Sequence, residues 1–119
     1  MVQNAPPQFQ SFVTRPMIHT LPDGTSTTLF VDIGLPYLIP PDDPATVSDW
    51  GCQYRTRGFA RDEFHTVFGV DGVHALYQAL SLAGVRIAAQ PESLSLDFGG
   101  VPNFGFPPVV KPLLDNIGA

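Results

Sequence analysis

Apolar and polar residues alternate with a period of two along several stretches of the chain, which predicts strands. From Thr27 to Leu35, residues Thr27, Leu29, Val31, Ile33 and Leu35 share one face, and Thr28, Phe30, Asp32 and Gly34 share the other. The odd-numbered face is predicted to meet the core. From Trp50 to Arg57, residues Trp50, Cys52, Tyr54 and Thr56 form a core face, with Gly51, Gln53, Arg55 and Arg57 opposite. The apolar run after Phe9 contains Pro16, which cannot donate to a ladder. It is therefore an edge strand, or two short strands divided at Arg15–Pro16, with Met17–Leu21 the better one. Leu21-Pro22-Asp23-Gly24-Thr25 predicts the turn of a hairpin into the Thr27–Leu35 strand. Phe64, Thr66 and Phe68 alternate with His65 and Val67 and fit a fourth strand or a helical turn.

At Asp71 the period changes. Asp71 suits an N-cap, accepting from free backbone N–H groups, and Gly84 stands where a C′ glycine ends a helix. Val73, Leu76, Tyr77 and Leu80 make one stripe, widened by Ala75, Ala79 and Leu82. This apolar arc exceeds the roughly 100° that a helix on a sheet needs. Beyond it, Val85–Ala89 fits a short strand or an extended exit, and Ser93–Phe98 fits a last strand. Residues Pro36–Ser48 hold four prolines and predict a long surface loop; Pro41-Asp42-Asp43-Pro44 matches P-x-x-P without flanking basic residues. The expected architecture is a small α+β domain, three to five mostly antiparallel strands with one main helix. Residues 1–8 read as a flexible entry segment and 9–98 as one domain. Leu29, Val31, Ile33, Trp50, Cys52, Tyr54, Val73, Leu76, Tyr77 and Leu80 are the predicted core.

Composition changes this picture mainly at the ends. The chain has 119 residues, enough for one core without staples, and its 14% of charged residues is low. Segment 99–119 is rich in Gly, Pro, Phe and Leu and nearly uncharged, unlike a disordered tail, so it is expected to cover apolar surface in its own domain or a partner. A net charge of −5 opposes a nucleic-acid surface and an anionic membrane. One cysteine precludes an internal disulfide. No secretory signal or spanning run of roughly 18 apolar residues is visible, which makes the cytoplasm the expected compartment.

Candidate chemistry is sparse. Cys52 alternates with Trp50 and Tyr54 on the predicted core face, which suits a buried thiol better than a nucleophile. His19, His65 and His74 lack the short spacing of structural zinc sites, and Asp42-Asp43 and Asp62-Glu63 read as solvated acids. No phosphate loop or nucleophile elbow is present, so no catalytic, cofactor or metal residue is assigned. Arg55, Arg57 and Arg61 place three of the six cations within seven positions. They either keep strand edges apart or contact an anion or an acidic partner.

The W-x-C-x-Y block at Trp50–Tyr54, the run Phe-Gly-Val-Asp-Gly-Val-His-Ala-Leu-Tyr-Gln-Ala-Leu at Phe68–Leu80, and the tail motif Phe104-Gly105-Phe106-Pro107 resemble a family of small uncharacterised bacterial domains. The resemblance covers roughly residues 15 to 107; the proline loop at Pro36–Pro44 and the N-terminal extension depart from it. It implies a small α+β domain of bacterial origin and no established activity. The expected function is a non-enzymatic interaction domain, an immunity or accessory protein for instance, contacting a cognate protein through Arg55, Arg57, Arg61, Phe104 and Phe106. The alternatives are an obligate homodimer that pairs through the excess apolar helix face or tail, and a ligand-binding domain or enzyme with a site near Arg55, Arg57, His65 and His74.

Overall fold

The computed structural model describes residues 9–41, 49–97 and 102–108. They form an α+β fold. Strands β1 (Ser11–Thr20), β2 (Ser26–Gly34), β3 (Tyr37–Ile39), β4 (Asp49–Arg57), β5 (Glu63–Gly69) and β6 (Leu96–Asp97) make one sheet, and α1 (Gly72–Ala88) packs on it. Every pairing is antiparallel. This is the expected small antiparallel sheet with one main helix; β3 and β6 are short additions to it, spanning only three and two residues.

β4 is the central strand. One edge pairs with β5 over seven residue pairs; the other is shared by β2, alongside residues 54–57, and β3, alongside residues 49–51. β3 corrects the expectation of a wholly irregular loop at Pro36–Ser48, since Tyr37–Ile39 resumes pairing as soon as Pro36 is passed. The P-x-x-P segment lies outside the described residues from Asp42 on, as do 1–8, the strand end at Phe98, and 109–119. β1 is continuous through Pro16. Its pairing to β6 is confined to Ile18 and His19, so among the described residues Pro16 needs to supply no outward hydrogen bond.

The core lies between α1 and the face of the sheet carrying Met17, Leu29, Val31, Ile33, Cys52 and Tyr54. Trp50, Leu76 and Leu80 pack around it, half-buried, whereas Thr27 and Leu35 at the ends of the predicted β2 face are exposed. The helix buries the flank of the expected apolar arc, at Ala75 and Ala79, rather than its centre. Ala75, Ala79, Ala83 and Ile87 are fully buried, while Val73 is 79% exposed and Tyr77 37%. The reason is volume. Tyr54, Met17 and Leu29 already fill the layer above the sheet, so the helix fits closest through its smallest side chains. Where β5 ends the approach is tightest: a Cβ on Gly69 would stand 2.4 Å from the Ala75 nitrogen.

Asp71 caps the helix, accepting from the His74 amide at 2.7 Å, and the His74 ring returns the favour by accepting from Val70 N–H at 3.1 Å. The helix does not stop at Gly84, which lies buried inside it, and Val85–Ala88 is helical rather than extended. Ala89 is the C-cap, and Pro91 follows. Pro91–Ser95 is a 3₁₀ turn, so the expected Ser93–Phe98 strand shrinks to Leu96–Asp97 within the described residues.

Candidate functional site

The face of the sheet turned away from α1 carries a charge cluster set by strand register. Asp32 on β2 lies opposite Thr14 on β1 and Arg55 on β4, and Phe30 lies opposite Arg57. The Asp32 carboxylate accepts from Thr14 Oγ1 at 2.6 Å, Arg55 Nε at 2.7 Å, and Arg57 Nε and Nη2 at 2.6 and 3.1 Å. Its side chain is 1% exposed, while those of Arg55 and Arg57 are about two-fifths exposed. Burial alone would raise the Asp32 pKa. Hydrogen bonds from Arg57, Thr14 and Arg55 outweigh it and hold the carboxyl down at about 2. The same bond to Asp32 raises the Arg57 pKa. The triad therefore carries one net positive charge at neutral pH.

Aromatic rings fix the guanidinium groups from their other sides. Arg55 lies 4.8 Å over the Phe9 ring and Arg57 4.5 Å over Phe30. Phe9 meets Phe64 edge to face at 5.2 Å and packs on Gly34, where a Cβ would come within 3.3 Å of the ring. Further along β5, Phe64 is 51% exposed and Phe68 58%. Tyr37 crosses Gly51 so closely that a Cβ there would be 2.7 Å from the ring, and it hydrogen-bonds Thr66. Arg55, Thr56, Arg57, Asp62, Glu63 and Phe64 line an open depression of about 320 Å³ at one end of this face.

The other sequence-predicted residues are dispersed. Arg61 does not join the cluster; its Nη2 donates to the Ala89 carbonyl at 2.7 Å, beside the C-terminus of α1. Phe106 is buried in the chain's own core, and Arg15 donates to the Phe104 carbonyl at 2.6 Å while stacking 4.8 Å from the Phe106 ring. Over residues 104–106 the tail thus packs in cis, and Phe106 offers no free contact surface. Arg55, Arg57, His65 and His74 do not converge. His65 pairs with Tyr54 on the helix side of the sheet, its ring 5.3 Å from the tyrosine, and His74 is occupied at the helix cap. His19 hydrogen-bonds Ser95.

Cys52 is buried and donates to the Gly34 carbonyl at 3.3 Å; burial pushes its thiol up to about 11. A thiol held that far from ionisation is a poor nucleophile. Among the described residues no group of three or more His, Cys, Asp and Glu side chains is placed to hold a metal, and no helix is long and apolar enough to cross a membrane. A second cavity, between Arg15, Val31, Leu80 and Phe106, measures about 110 Å³, below the roughly 300–1,000 Å³ of sites for drug-sized ligands.

Asp32 is the residue that reading the sequence missed. Its position on the outward face of β2 was visible, as was that of both arginines on the outward face of β4. Their meeting depends on β2 and β4 being neighbours across the Pro36–Ser48 connection, which the sequence does not state.

A family model described as a domain of unknown function, DUF6968, matches residues 13–108. The chain belongs to the DUF6968 family. No curated protein and no solved structure matches it. Thr14, Asp32, Arg55 and Arg57 lie inside the span matched to DUF6968, whereas Phe9 lies before it.

Proposed function

We propose that this DUF6968 chain is a non-enzymatic protein-interaction domain whose partner contacts the open face of the sheet. The Arg55–Asp32–Arg57 triad carries this reading. A buried carboxylate holds two guanidinium groups in fixed positions among Phe9, Phe30 and the exposed Phe64, so a partner need not bear the full entropy cost of ordering them. Aromatic and arginine side chains are also the types that dominate binding energy at protein interfaces. Arg55 uses only its Nε on Asp32. Its two Nη groups have no acceptor among the described residues and form a fork suited to a carboxylate. The partner is accordingly a protein presenting an acidic group beside apolar side chains. A bacterial cytoplasmic immunity or accessory protein, which blocks or positions a cognate protein, is one form of this role.

Affinity capture from the native cell tests it. The wild-type chain is expected to retain a stoichiometric protein that Arg55→Ala and Phe68→Ala lose, while Val85→Ala on the helix keeps it, with all three variants melting as folded proteins. Recovery of the wild type alone, or equal retention by all variants, contradicts the proposal.

A further inference from the structure

The two edges of the sheet are built differently. Along β1 the edge is blunted by Pro16, by a register irregularity between Ser11 and Val13, and by β6 lying alongside Ile18 and His19. These are devices that stop a sheet from growing. Among the described residues β5 has none of them. Glu63–Gly69 contains no proline, lysine or arginine, its register against β4 is unbroken, and among the described residues it pairs with β4 alone. Alternation leaves every second N–H and C=O of the strand pointing away from β4.

We infer that two copies of this chain pair antiparallel through β5, with Thr66 opposite Thr66 of the second copy. The sequence of β5 is complementary to itself in this register. On the open face Phe64 meets Phe68 of the second copy, and Phe68 meets its Phe64, with the two threonines between them. On the helix face His65 meets Val67, and Glu63 meets Gly69, so no like charges are opposed. Aromatic and threonine cross-strand pairs are among the favourable ones. Moving the centre to His65 would set His65 against itself and Phe64 against Thr66; centring on Val67 would set Phe68 against Thr66. Only the Thr66-centred register gives both phenylalanines an aromatic partner. The product is one continuous twofold sheet with the two arginine clusters on the same side. This goes beyond the partner contact proposed above and does not depend on it.

Sedimentation of the full chain at micromolar concentration is expected to show a dimer. Thr66→Lys, which sets two ammonium groups face to face, is expected to weaken it by about tenfold or more while leaving the circular dichroism of the fold in place. Independently, Thr66→Cys is expected to form a covalent dimer on oxidation. Residues directly opposite in an antiparallel pair stand about 4.5–5.5 Å apart at Cα, within disulfide range. Thr25→Cys, at the β1–β2 turn, is expected to give no such cross-link, and Cys52 is buried and does not compete. A monomeric wild type overturns the inference. So does a dimer that survives Thr66→Lys, or one in which Thr66→Cys fails to cross-link.

Discussion

Asp32 is a carboxylate on the face of a strand that turns away from the core, yet two arginines and a threonine close over it. Removing its charge with Asp32→Asn leaves the guanidinium groups short of an anion. Both are about two-fifths exposed and can rehydrate, so the cost falls below the 3–5 kcal/mol of a fully buried pair, at about 2 kcal/mol in urea unfolding. The pH dependence has a definite sign. The folded carboxyl is held at about 2, below its ordinary 3.8, so the stabilisation is complete above the ordinary value and disappears as pH falls toward 2. Acid titration of stability is expected to show a loss of about 2 kcal/mol across that window, and Asp32→Asn is expected to remove that part of the slope. At Cys52 the expectation is kinetic. With its thiol buried and pushed up to about 11, labelling at pH 8 should proceed only as fast as the chain unfolds. Rapid labelling of the native protein would contradict the burial.

The long strands and the helix were legible, β3 and the 3₁₀ turn at Pro91–Ser95 were not, and which surfaces the elements bury was legible only in part. The alternation in β2 and β4 reports a backbone period and gave their core faces correctly at Leu29, Val31, Ile33, Cys52 and Tyr54. Asp71 marked the helix start because capping is local chemistry. The helix stripe was misjudged because ranking side chains by hydrophobic size favours Val73 and Tyr77, whereas a sheet face already filled by Tyr54 and Met17 admits a helix through its alanines. The helix end was misjudged because Gly84 was read as a terminator when Pro91, two residues past the Ala89 cap, is the stronger stop. Packing this tight makes a steric prediction. Gly69→Ala puts a Cβ against the backbone of His74 and Ala75 and is expected to cost about 2–4 kcal/mol. Gly24→Ala, where φ is +88° but nothing lies within 4 Å, is expected to cost about 1 kcal/mol. Comparable urea midpoints for the two would contradict the close helix approach. Asp71→Ala is expected to cost about 1 kcal/mol through loss of its bond to the His74 amide.

At the scale of the molecule, one face of the sheet is closed by α1 and by the Phe104–Phe106 turn, and among the described residues the other presents rings and paired charges. This division could not be read from the sequence. The predicted contact residues Arg55 and Arg57 stay on the open face, while Arg61 and Phe106 are used within the chain. Phe64, read there only as an alternating strand position, proves to be an exposed aromatic opposite Arg55, and Phe68 is exposed four residues further along β5, opposite Gly51. The proposed partner contact lies on this face. Hydroxyl-radical footprinting of the chain, free and in the complex captured from its native cell, tests it at single residues, because it reports the exposure of individual side chains. Phe64 and Phe68 are expected to lose labelling in the complex while Val73 and Val85 on α1 keep theirs. Protection of Val73 and Val85 with Phe64 and Phe68 still labelled would place the contact on the helix and contradict it.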